Sequence, residues 1–162
     1  MIDPGTPLAA IERLPLAVAM RHDLWLYPIV EIVHITGFVT LVGSIIVLDL
    51  RLLGLSKALP VRLLAQHVLP WSIGALLLIV PTGLLMFTAH ASELISNPAF
   101  VIKMSLLFCA AINGALFHAG VFRNAAAWDH NTAIPVAAKL HALASLSIWI
   151  AVLACGRLLA YV

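Results

Sequence analysis

Four apolar stretches, each near the roughly 20 residues that carry a helix across a bilayer, take up most of this 162-residue chain and leave it little choice of fold. Read from hydropathy, they cover residues 24–48, about 68–89, about 100–121 and about 138–161. Hydrocarbon offers the backbone no hydrogen-bond partners, so each stretch must satisfy its own amides as a helix. Short connections make consecutive helices antiparallel neighbours. The expected fold is therefore all-α: an integral membrane four-helix up-and-down bundle over residues 24–162, preceded by an interfacial segment over residues 1–23. Composition agrees, with 63% hydrophobic and 10% charged residues and a mean hydropathy of +1.09, against the roughly half apolar and one-quarter charged residues of soluble domains. No length remains for a separate soluble catalytic module. A net charge of +2 on scattered carriers excludes a nucleic-acid surface.

Punctuation supports the division. Pro70 and Pro81 fall inside the second stretch, where membrane helices tolerate proline and often bend around a cavity. Asn97-Pro98 precedes the third, proline suiting a first helical turn. Residues 1–23 lack the basic start of a signal peptide and are broken by Pro7 and Pro15, so they read as no fifth span. Leu8, Ile11, Leu14 and Val18 set against Glu12, Arg13 and Arg21 predict one short amphipathic helix lying on the membrane surface. Cys109 and Cys155 fall within spans and read as small packing residues.

Call side A the end of the bundle that holds both termini, and side B the other. Arg51, Lys57, Arg62, Arg123 and Lys139 fall on side B; Arg13 and Arg21 flank side A, with Lys103 and Arg157 just inside its span ends. By the positive-inside rule side B faces the cytoplasm and both termini are periplasmic. Glu31, Lys103 and Arg157 share nearly one depth near side A, forming an intramembrane polar cluster with His34 and His90. Burying these charges separately is costly, which predicts a pairing of Glu31 with Arg157 or Lys103. Such a cluster either locks helices together or receives an anionic group, the propionates of a haem or a quinone-like headgroup.

Five of the seven histidines, His34, His67, His90, His118 and His141, lie in or at the ends of the spans. An imidazole in hydrocarbon is expensive without a partner, so a haem or metal is the natural inference. His67, His118 and His141 fall near side B. Two of them facing each other across small residues, Ala110, Ala111, Gly114 and Ala115 on one helix and Ala142, Ala144 and Ser145 on another, would suit the axial positions of haem b. His34, with His90, Lys103 and Arg157, marks a second site at side A. His34 and His118 differ in depth by roughly 18 Å at 1.5 Å per residue, so they do not share one haem. The competing structural reading has small residues bringing helices together and boundary histidines reaching headgroups or water. His22 and His130, in flank and loop, are expected to be solvated.

Copper is the rival cofactor. Met86, Met104, His34 and His90 all lie toward side A, and thioether with imidazole is a Cu(I) ligand set. The absence of His-Glu-x-x-His argues against zinc-protease chemistry. Glu31-x-x-His34 has no second copy, which argues against a di-iron bundle.

Glu31-Ile-Val-His34-Ile-Thr-Gly37, Asp49-Leu-Arg51-Leu-Leu-Gly54, Thr82-Gly83, Asn97-Pro-Ala-Phe100 with Lys103, Asn113 with Phe117-His118, and Ser147-Ile-Trp149 through Gly156-Arg157 to Tyr161 run nearly the length of the chain. Together they resemble an uncharacterised family of small four-span bacterial inner-membrane proteins, a likeness that implies fold and location rather than activity. More loosely the layout is similar to four-helix di-haem cytochromes b and to the membrane domain of copper-resistance D proteins. The expectation is a b-type haem protein that transfers electrons within or across the bilayer, with a quinone or redox protein as partner. The alternatives are a copper-handling permease subunit and a cofactor-free accessory subunit of a larger complex or homo-oligomer. Enzymatic activity is left open.

Overall fold

The computed structural model describes residues 6–129 and 133–161, and among them every regular element is helical. His130 and the first five residues of the expected surface segment lie outside the described residues. The elements are α1 (Pro7–Glu12), α2 (Pro15–His22), α3 (Leu26–Leu52), α4 (Val61–Ala89), α5 (Ala91–Ser96), α6 (Pro98–Ala119), a 3₁₀ turn (Val121–Ala127) and α7 (Val136–Leu158). Four of them are long and apolar enough to cross a membrane: α3, α4, α7, and α6 together with its 3₁₀ turn. The chain is a multi-pass membrane protein. Large apolar side chains on the outer faces, such as Ile32, Val39, Leu77, Phe108 and Ile150, are left exposed for lipid.

The amino-terminal segment departs from the expected single helix. Pro15 forces Leu14 into an extended conformation (φ −57°, ψ 140°), which divides the segment into α1 and α2. Ala9, Ala17 and Met20 turn inward, while Leu14 and Val18 stay exposed. These helices lie over the side A ends of α4 and α5. Arg21 donates through Nη1 to the Ala89 carbonyl (2.9 Å) and through Nη2 to the Glu12 carbonyl (2.5 Å). A cation at two helix C-termini is electrostatically well placed. Glu12 Oε1 accepts from the Ser92 amide (2.7 Å), and that bond holds its carboxyl below the ordinary value. Asp23 Oδ1 then accepts from Trp25 and Leu26 amides, both at 2.9 Å, to start α3.

The side B end of α3 is a Schellman stop. Gly54 adopts φ 107°, its amide bonds the Arg51 carbonyl (3.1 Å), and the Leu55 amide bonds the Leu50 carbonyl (3.0 Å). Arg51 is buried and donates to the Leu59 (2.5 Å) and Lys57 (3.3 Å) carbonyls, clamping the loop. The Asp-Leu-Arg-Leu-Leu-Gly element is thus a helix stop with its own brace. α4 starts at Val61, about two turns earlier than hydropathy places it. Pro60 precedes it, and Asp129 Oδ1 accepts from the Arg62 amide at its first turn (3.1 Å). His67 consequently sits inside α4 and not at its start.

Around the bundle the spanning helices run in the order α4, α3, α7, α6. α3 packs on α4, α6 on α7, and α3 on α7, but α4 and α6 do not pack on each other. Small residues explain the tight pairs. A Cβ on Gly37 would lie 3.0 Å from Ile79 Cγ1 and 3.3 Å from the Ala75 carbonyl, so α3 and α4 approach at backbone distance. α7 presents Ala138, Ala142 and Ser145 inward. α6 buries only Ala99 and Phe117. One seam of the bundle is left open.

Candidate functional site

The open seam widens into a cavity of 1190 Å³ that runs from Tyr27 and His90 at side A to His118 and His141 at side B. Its walls are mostly aliphatic, and its polar residues gather at the two ends.

At side A, His34 on α3 faces Thr82 and Gly83 on α4. Thr82 Oγ1 donates to the Leu78 carbonyl (2.5 Å), with the Ile79 carbonyl at 3.2 Å. Its remaining lone pairs can only accept, so His34 Nδ1, at 3.0 Å, carries the proton and donates. His34 Nε2 is then the unprotonated nitrogen of a ring lining the cavity. Gly83 leaves room for this placement, since a Cβ there would come within 3.1 Å of His34 Cε1 and the ring would have to shift by a few tenths of an ångström. Lys103 is half-buried, its Nζ 5.9 Å from the Phe38 ring centroid and beside Gly156. His90 closes α4, 3.6 Å from Glu93 Oε2 and edge-on to Tyr27. Met86 and Met104 line the same half of the cavity.

At side B, Asn113 on α6 and His141 on α7 are locked reciprocally. Asn113 Nδ2 donates to the His141 carbonyl (3.1 Å), which turns Oδ1 toward His141 Nδ1 (2.8 Å). An amide oxygen only accepts, so Nδ1 again carries the proton and Nε2 is open. Phe117 stands between His141 and His118, with ring centroids at 5.9 and 5.3 Å, and Phe122 lies 5.1 Å from His118. Asp49, 6% exposed, also lines this end and faces the Ser145 hydroxyl.

The other expected residues are placed elsewhere. His67 is exposed on α4, its Nδ1 3.0 Å from the Leu63 carbonyl, and does not line the cavity. Three imidazoles therefore do not meet at side B, and among the described residues no three His, Cys, Asp or Glu side chains converge as a metal site. The expected pairing of Glu31 is not made: among the described residues the ion pair is His90 with Glu93. Arg157 donates to its own neighbour Tyr161 and lies over that ring, 4.7 Å from its centroid. Glu31 is exposed near the helix end, where water and headgroups remove the desolvation cost that would demand a partner. Cys109 is exposed, Cys155 buried, and both are free.

Thr82 and Asp49 carry roles that sequence reading did not assign them. Thr82 sits just after Pro81, and Asp49 three residues inside the end of α3. A hydroxyl beside a span proline and a carboxylate inside a span end were the available signals.

The fold and the cavity define the class: a four-span membrane protein with a laterally open intramembrane cleft and an anchored imidazole at each end. Residues 26–162 match the family of unknown function DUF6644, and the chain belongs to that family. The match covers all four spanning helices. Comparison with curated proteins and with solved structures gives no match.

Proposed function

We propose that this protein is a b-type haem protein of the bacterial inner membrane that transfers electrons within or across the bilayer. The observation that carries the reading is the anchoring of two imidazoles. His34 and His141 each hold Nδ1 against a fixed partner, Thr82 or Asn113, in a ring lining the cavity, and the acceptor character of those partners assigns the proton to Nδ1 and leaves Nε2 unprotonated. A ligand histidine characteristically donates its other ring N–H to an oriented acceptor, which sets tautomer and basicity. The donor set therefore fits haem iron. His118 and His141 serve the side B site and His34 the side A site, with the Lys103 ammonium matched to an anionic propionate. Haem, when bound, supplies one-electron chemistry whose potential depends on ligation, burial and nearby charge. The chain positions the imidazoles and keeps water out with the apolar middle of the cavity. The lysine and arginine excess on side B supports periplasmic termini.

The test is a reduced-minus-oxidised spectrum of detergent-purified protein, with iron and copper analysis of the same sample. Sharp six-coordinate haem b bands with stoichiometric iron are expected. His34→Ala and His141→Ala each lower haem content, whereas His67→Ala does not. A colourless, iron-free protein that cannot be reconstituted with haem overturns the reading. Copper handling is the second reading, favoured by Met86, Met104, His34 and His90 lining one half of the cavity. It predicts copper in a colourless sample and its loss in Met104→Leu.

A further inference from the structure

Asp49 is the polar group in the spans that nothing described so far uses. It is 6% exposed, lines the cavity at side B, and its Oδ2 has no hydrogen-bond partner. At that end the Arg51 Nη1 atom is also buried without a hydrogen-bond partner. Asn113 and the Nδ1 edge of His141 satisfy one another. The nearest cation on the same helix, Arg51, is turned to the loop carbonyls of Leu59 and Lys57 and does not line the cavity. A carboxyl oxygen left bare in a low-dielectric interior is costly. It marks a place where a donor from outside the chain belongs.

We infer that the side B half of the cleft binds a lipid-soluble phenol or hydroquinone, whose hydroxyl donates to Asp49. Four features select this chemistry. The cleft opens sideways between α4 and α6, so its ligand arrives through the bilayer and has an apolar body. Ala110, Ala111 and Gly114 keep one wall low, which suits a flat ring. Phe117, flanked by the His118 and His141 rings, offers aromatic edges for that ring to pack on. Finally, a buried carboxyl with no cation beside it offers a phosphate headgroup no countercharge, so a neutral donor fits where a phospholipid does not. Binding requires no iron; the ligand takes the half of the cleft that a side B haem would fill, so the two compete there and the inference does not rest on the haem reading.

Equilibrium binding of decylubiquinol and of its oxidised quinone to the full-length purified protein tests it. The quinone lacks the donor hydroxyls. Wild type is expected to prefer the quinol by roughly tenfold, the scale of one hydrogen bond to a buried polar group. Asp49→Leu removes the acceptor and should bind both forms equally at the quinone's affinity. Asp49→Asn, closer in shape, keeps one acceptor oxygen, secures the test if the leucine variant does not fold, and should retain only part of the preference. Equal binding of quinol and quinone to wild type overturns the inference. So does an undiminished preference in both folded variants, or tighter Asp49-dependent binding of a long-chain primary amine. Asp49-dependent quinol binding by a protein without haem upholds this inference while the haem reading fails.

Discussion

Replacing Thr82 by valine removes one hydroxyl while keeping the side chain's shape. In the native protein that hydroxyl accepts the Nδ1–H of His34 across the α3–α4 interface at 3.0 Å. Gly83 packs against the imidazole on the same side as Thr82, and valine offers Nδ1–H no acceptor in place of the hydroxyl. Interhelical hydrogen bonds in membranes average about 0.6 kcal/mol and reach about 1.7. The bond here is of ordinary length and joins the half-buried His34 to the buried Thr82 across the helix interface, which places it within that range. The assay is reversible denaturant unfolding in mixed micelles for wild type, Thr82→Val, His34→Ala and the double variant. The expected coupling between the two sites is about 1 kcal/mol, well above the roughly 0.3–0.5 kcal/mol within which independent sites add. Additive single effects would refute the bond, and with it the assignment of the His34 proton to Nδ1. The same variant should leave His34 free to rotate, broadening its ring resonances in NMR.

Three further perturbations probe separate parts of the structure. Gly83→Ala places a Cβ 3.1 Å from His34 Cε1; overpacking of about 1–3 kcal/mol should lower Tm, and His34→Ala in the same chain should relieve the loss. Gly54→Ala puts a side chain at φ 107°, expected to cost roughly 1–2 kcal/mol and to raise protease cutting of the loop that follows α3. Glu12 has a folded-state pKa depressed below its ordinary 4.5 by the Ser92 amide, so its contribution is present above that value and lost as pH falls through the folded-state pKa. Amide exchange at Ser92 should accelerate in acid, and Glu12→Gln should be faster at neutral pH and lose that acid sensitivity.

How far the site could be read in advance differs residue by residue. His34, His118 and His141 were visible as imidazoles in apolar stretches, because hydrocarbon makes any such group conspicuous. His67 satisfied the same criterion and lies outside the cavity, since hydropathy gives depth along a helix and not the direction a side chain faces. The start of α4 was misplaced by the same method: Arg62, Gln66 and His67 are polar enough to resemble a loop, whereas Pro60 and a cap from Asp129 begin the helix there. Asp129 lies 67 residues away in the chain, so no local window contains that signal. Glu31, Lys103 and Arg157 do share a depth, but helix rotation sends them to different surroundings, and Arg157 finds its partner within its own helix end at Tyr161.

The amino-acid sequence by itself determined that the chain is a four-span helical membrane protein, because long apolar runs without backbone partners in lipid admit only helices. It also determined where α3 stops, through Gly54, and where α6 begins, through Asn97-Pro98. Only the tertiary structure decided that α4 and α6 stand apart and open a cleft, since that depends on how small residues draw α3 onto α4 and α7 onto α6. It also decided which imidazoles line that cleft, which ring nitrogen each uses to anchor itself, and that Asp49 faces into it with one carboxyl oxygen unpartnered. Those are relations between helices, set by rotation and packing that no pattern along one helix encodes.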